Sequence, residues 1–230
     1  MRFLVLFIIQ KIRGEKIELG DFSSSDLFRI SVNKVFSLIR GLIFINLPFL
    51  VRGVFFLGYD SILKGREKII FNSSATIGSR VKISSIGSQR FEFGKNFSIR
   101  DFSIIDSFGS IKKESGLLKI GDNVGISEYC YFGIRGNLII GDDVIIGPGV
   151  KIFTENHSID LNHLPFRLQD EIRKGVIVGS NVWIGASSVI LPGVNIGDNV
   201  VIAAGAIVNK NVPSNSLYGG VPARLIKNLQ

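Results

Sequence analysis

VGSNVWIGASSVILPGVNIGDNVVIAAGAIVNKNV, residues 178–212, decides the fold. Aliphatic residues stand at Val178, Ile184, Ile190, Ile196, Ile202 and Val208, and four positions after each comes a small or β-branched one: Val182, Ser188, Val194, Val200, Ala206, Val212. No helix repeats at six. Short β-branched segments broken by Gly, Asn, Asp and Pro at a fixed period predict a solenoid whose strands bend at regular corners. The aliphatic residue points inward, and the Gly after it, as in Ile184-Gly185 and Ile196-Gly197, suits a corner where a side chain would obstruct. Such a prism is a scaffold, so its chemistry is sought on the edges.

Working outward, the same step recurs as triplets: Ile140, Ile146, Ile152; Ile120, Ile126, Phe132; Phe93, Ile99, Ile105; Phe71, Ile77, Ile83. Each triplet predicts one three-sided coil, and with the two from 178 to 208 there are about six. The spacing exceeds six between Ile83 and Phe93, Ile105 and Ile120, Phe132 and Ile140, and Ile152 and Val178. All four insertions therefore leave by one corner, which marks that edge as a built surface. The fold expected is all-β: a parallel β-helix over residues 69–213 with one long loop, 158–177, a mainly helical segment 1–68 before it and a short tail 214–230 after it.

The chain of 230 residues is 46% hydrophobic and 20% charged, which is a folded composition, and carries a net charge of +8. No basic run with interleaved aromatics of a nucleic-acid reader occurs, so the charge points instead to a membrane surface or a phosphorylated ligand. Cys130, the only cysteine, falls at an inward small position and reads as a buried filler. Residues 3–9 are apolar but lack a cleavage site, so they do not read as a secretion signal. Residues 31–58 are rich in Phe and Leu, with Lys34, Arg40 and Arg52 along them; the uninterrupted apolar part, 41–51, is short of the roughly 20 residues a bilayer needs and contains Pro48. Two readings stay open for this segment, an interfacial helix at a membrane surface and a cap over the end of the solenoid core.

Only two histidines occur, His157 and His163, both in or beside the longest insertion. His157 closes the hexapeptide begun at Ile152, and that position makes it the candidate catalytic group, whereas His163 lies further out and reads as solvated. Glu155 and Asp160 are the carboxylates within reach.

The run IGDDVIIGPGVKIFTENHSID, then VIVGSNVWIGASSVILPGVNIGDNVVIAAGAIVNKNVPSNSLYGGVPARLIKNL, resembles the left-handed β-helix acyltransferases, in particular the maltose, galactoside and nodulation-factor O-acetyltransferases. The resemblance covers well over a third of the chain. It implies a left-handed prism and transfer of acetyl from acetyl-CoA to a hydroxyl by a homotrimer whose sites lie between prisms. It places His157 as general base; an imidazole, with an ordinary pKa of about 6.5, is largely neutral at pH 7 and able to take the hydroxyl proton. It also places Trp183 and Ala186 beside the thioester and pantetheine arm, Ala204 where backbone approaches the pantetheine, and Asn209, Lys210, Arg224 and Lys227 near the nucleotide. Trp183 packing a trimer, and the basic residues forming a solvated face, are the plain alternatives.

The acceptor side departs from the sugar acetyltransferases. Where they place an Asn, this chain has Ser127 or Glu128, and their acidic N-terminal helices are replaced by the apolar, basic segment. This favours a glycan of a surface polysaccharide or a lipid-linked oligosaccharide, met at the cytoplasmic face of the membrane, with Ser127, Glu128 and Glu155 as acceptor-side candidates. An N-acyltransferase on an amino sugar nucleotide and a non-catalytic or zinc-binding β-helix are the competing functions. Zinc hydration on this fold needs three histidines per site, which two per chain could supply only across subunits.

Overall fold

The computed structural model describes residues 23–44, 53–107, 115–159 and 165–230. The expectations placed on residues 3–9, Pro48, Arg52, Asp160 and His163 lie outside the described residues.

Three sheets form the walls of a prism, visited in rotation. The first face holds nine strands from Phe55–Leu57 to Arg224–Asn228, the second seven from Ile62–Lys64 to Ile207–Val208, and the third six from Ile69–Phe71 to Asn195–Ile196. Pairing within the walls is parallel except for the last strand, Arg224–Asn228, and the register matches the hexapeptide count: Ile126 faces Ile146, Phe132 faces Ile152, and Ile140 faces Val178. These residues are buried, as are the small positions Val182, Ser188, Val194, Val200, Ala206 and Val212. Aliphatic residues fill the later coils, whereas packed aromatics fill the earlier ones, Phe71 stacking on Phe93 at 4.8 Å and Phe97 tilted against Phe93 at 4.5 Å. Cys130 is one of the buried fillers.

The corner between the third and first faces explains the Gly-Asp/Asn pattern. Asn96, Asn123, Asp143, Asn181, Asn199 and Asn215 all have φ between 54° and 58° there, a region that Asn and Asp tolerate. Their side chains form ladders, Asn181 Nδ2 donating to Asn199 Oδ1 at 2.8 Å and Asn199 Nδ2 to Asn215 Oδ1 at 2.9 Å. The preceding residue accepts from the coil before it, the Ser180 N–H donating to Asp198 Oδ1 at 2.7 Å. Backbones approach so closely that a Cβ on Gly179 would stand 2.7 Å from the Gly197 carbonyl carbon.

The prism begins earlier than expected. Phe55–Leu57 and Ile62–Lys64 already belong to the first and second faces, so part of the segment 1–68 expected to be mainly helical is strand. Residues 214–230 are likewise more than a tail: Ser216–Gly219 continues the first face in parallel and Arg224–Asn228 returns against it. Helix α1 (Ser24–Phe44) lies against the first coil, with Leu27 buried and Gly41 so close to Phe55 that no side chain fits between them. Arg40 Nε donates to the Leu57 carbonyl at 2.9 Å, and Lys34 Nζ sits 4.7 Å from the Phe56 ring centroid. Helix α1 thus packs against the first coil. No helix among the described residues is long and apolar enough to cross a membrane.

Candidate active site

The four insertions leave between the second and third faces, as the spacing requires. The last carries His157. Instead of standing on the edge of a coil, His157 ends a short strand, Glu155–His157, that pairs antiparallel with Glu171–Arg173, so the excursion starts at residue 155 and the prism resumes at Val176–Val178. The sequence could not show this, because both strands are three residues long and pair only with each other.

The root of this hairpin is tied down by hydrogen bonds and charge. Thr154 is buried; its Oγ1 accepts from the N–H groups of Arg135, at 2.7 Å, and Gly136, at 2.9 Å, and donates to the Gly133 carbonyl at 2.9 Å. Lys174 N–H donates to the Thr154 carbonyl, closing the hairpin's base, and Ser158 N–H to the Asp170 carbonyl near its outer end, both at 2.9 Å. Glu155 then sits between two nearly buried arginines, 3.3 Å from Arg135 Nε and 3.9 Å from Arg173 Nε, and Arg173 Nη2 donates to Glu171 Oε2 at 2.8 Å. Arg135 is anchored in turn, its Nη1 donating to the Asp106 carbonyl at 2.8 Å. Burial pushes the Glu155 carboxyl above its ordinary range, although the Arg135 charge pulls it down. Alternation along a strand puts Glu155 and His157 on one side, near enough for their charges to interact. Glu155 is therefore held at the root of the hairpin, and His157 is exposed.

The other candidate residues divide between two places. Asn209 and Lys210 follow Val208 at the same corner as the hairpin, and both are exposed. Ser127, Glu128, Ala186 and Ala204 line the opposite edge of the second face, where it meets the first. That edge is narrow by necessity: the Gly205 N–H donates to the Ala186 carbonyl at 2.8 Å, and a Cβ on Gly185 would come within 2.5 Å of Ala204 N. Trp183 lies on the outer surface of the first face, more than half exposed, in register between Ile145 and Val201. Arg224 and Lys227 stand exposed on the terminal hairpin. One chain therefore does not bring His157 together with Trp183, Ala186 and Ala204, because the width of the second face separates them.

The sequence reading missed a row of side chains on this second edge. The Arg80 guanidinium lies 5.4 Å from the Tyr59 ring and 5.6 Å from that of Phe102, which stacks on Tyr129 at 5.1 Å and 3°. Arg80, Phe102 and Tyr129 hold φ between 54° and 60°, a conformation unfavourable for bulky residues. Glu128 pairs with Arg100 at 3.1 Å, and a backbone hydrogen bond, helped by Arg100, holds its carboxyl below the ordinary range. Tyr129 is thus an exposed ring beside the acceptor-side candidates. Among the described residues, no group of three or more His, Cys, Asp or Glu could hold a metal ion.

Known proteins share this framework. The model of the family described as "Bacterial transferase hexapeptide (six repeats)" matches residues 175–210. The chain is 33% identical over 198 residues to sophorolipid acetyltransferase of Starmerella bombicola, covering 80% of this chain and 73% of that protein. It is 33% identical over 145 residues to galactoside O-acetyltransferase of Escherichia coli, covering 52% of this chain and 70% of that one. Among solved structures, the hexapeptide-repeat acetyltransferase VCA0836 of Vibrio cholerae complexed with acetyl coenzyme A superposes with a TM-score of 0.51 at 19% identity, covering 97% of this chain and 98% of that one. The left-handed β-helix expected from the hexapeptide run is the fold of this chain.

Proposed function

Because this chain belongs to the hexapeptide-repeat acetyltransferase family, we propose that it transfers acetyl from acetyl-CoA to a hydroxyl of a glycan, with His157 as general base. The observation that carries this reading is the exposed imidazole at the end of a hairpin whose root is fixed by Thr154, Arg135, Glu155 and Arg173. A base must be held in place yet open to substrate, and this arrangement does both.

The site forms between chains. Since the second face separates His157 from Trp183, Ala186 and Ala204, a neighbouring prism must bring its own edge to the hairpin, and a closed ring of three does so at three equivalent places. Pantetheine runs along the narrow edge at Ala186 and Ala204 beside Trp183, and Asn209, Lys210, Arg224 and Lys227 meet the nucleotide and its phosphates. In the transfer step His157 takes the proton of the acceptor hydroxyl as its oxygen attacks the thioester carbonyl. The C–O bond forms, the C–S bond breaks, and the imidazolium returns the proton to the departing sulfur. Glu155, held by its arginines, steadies the ring and its transient charge.

On the acceptor side Ser127, Glu128 and Tyr129 offer hydrogen-bonding groups and a ring face, a combination suited to a sugar. The apolar, basic segment at the other end favours a lipid-linked or polymeric glycan. The test is acetyl-CoA turnover with free galactosides, soluble polysaccharide and lipid-linked glycan, followed by mild alkali. The expected product is an alkali-labile ester on the polymeric or lipid-linked acceptor. An alkali-stable amide, or efficient use of free galactosides alone, overturns the reading.

A further inference from the structure

Helix α1 has two unlike sides. Leu27 is buried against the prism at 2% exposure and Gly41 touches Phe55, whereas Phe28, Val35, Phe36, Ile39, Leu42 and Ile43 are between 44% and 68% exposed. At 3.6 residues per turn these six fall within a stripe of about 120° on the side turned from the prism. Six large apolar side chains in one stripe are not the scattered exposure of an ordinary surface.

Charge is gathered at the same end. Among the described residues, 23–44 and 53–82 hold eight Lys and Arg against three Asp and Glu, whereas those after 82 hold 12 against 11, so the excess of cations lies at the N-terminal end. Described members of that set include Arg29 on the helix, Lys64 and Lys68 in the first coil, and Arg80 and Lys82 in the next. An apolar stripe with a surrounding excess of cations complements one kind of surface, apolar beneath and anionic at its boundary.

We propose that the exposed stripe of α1 lies in the surface of an anionic lipid bilayer, with the N-terminal coils of the prism held against its headgroups. The helix enters the interface without crossing it, and the axis of the prism points away from the membrane. This surface is separate from the His157 hairpin, so its occupancy does not depend on the acyl acceptor.

The test uses the full chain and sedimentation with vesicles, one set of phosphatidylcholine alone and one with phosphatidylglycerol added. Binding is expected to the anionic vesicles, to weaken with added salt, and to be nearly absent from the neutral ones. Phe36→Glu with Leu42→Glu should reduce binding at least tenfold while circular dichroism and thermal melting stay unchanged, both side chains being exposed. Ile177→Glu, an exposed apolar position in a late coil far from the N-terminal end, should bind as the parent does. Failure of the parent to prefer anionic vesicles, or full binding by the double variant, overturns the proposal. So does a loss of assembly mass in the double variant without vesicles, which would make the stripe an interface between copies.

Discussion

Arg135 Nε approaches the Glu155 carboxylate to 3.3 Å across the corner where the His157 hairpin leaves the prism. The contact, to Glu155 Oε1, is Coulombic rather than a hydrogen bond, since Arg135 Nε has no hydrogen-bond partner. A pair so placed orders the hairpin and costs desolvation, which the raised Glu155 carboxyl reflects. Arg135→Ala leaves the carboxylate to Arg173 alone and removes the tie to the Asp106 carbonyl. We expect a loss of about 2–3 kcal/mol in urea unfolding, below the roughly 3–5 kcal/mol of fully buried pairs because Glu155 is 29% exposed. Turnover should fall with it, and Arg135→Ala combined with Glu155→Gln should regain stability but not turnover.

Tyr129 provides a separate test of the acceptor side. Tyr129→Ala removes an exposed ring stacked on Phe102, so it should raise the acceptor KM several-fold and leave the acetyl-CoA KM unchanged. Equal changes in both would show that the ring only shapes the edge.

The corner glycines should differ according to what surrounds them. At Gly179 a methyl would press on the Gly197 backbone, so Gly179→Ala is expected to destabilise by about 2 kcal/mol or more. At Gly87, φ is +78° and nothing lies within 4 Å of the added atom, so Gly87→Ala should cost only the left-handed strain, about 1 kcal/mol. Thermal melting of the two variants compares them.

Burial pushes the Cys130 thiol up to about 11. The native thiol should therefore resist alkylation at pH 8 and react readily in urea. Because the unfolded thiol ionises first, stability should fall as pH rises from about 9 towards 11, by up to about 1.4 kcal/mol per pH unit from this group. Cys130→Ala should remove that part of the slope.

The repeat was legible because inward residues from Phe71 to Val208 contrast with polar neighbours at a fixed step. Leu57 and Leu63 keep the same step, but Phe55, Phe56 and Ile62 beside them are apolar too, and the contrast vanishes. The catalytic candidate was found by its place beside the longest insertion. Its partners were not, since Arg135 and Arg173 lie 20 and 18 residues from Glu155 and meet it only through the stacking of coils and the pairing of the hairpin. The strained backbone at Phe102 and Tyr129 leaves no mark in residue type, as the equivalent turns on the other edge use Asn and Asp.

The most direct measurement is steady-state acetyl transfer by His157→Ala, with acetyl-CoA binding measured on the same preparation. Loss of about 10²- to 10⁴-fold in kcat at unchanged acetyl-CoA Kd is the predicted result. Turnover equal to that of the parent chain would contradict the assignment of the base, and with it the site built around the hairpin.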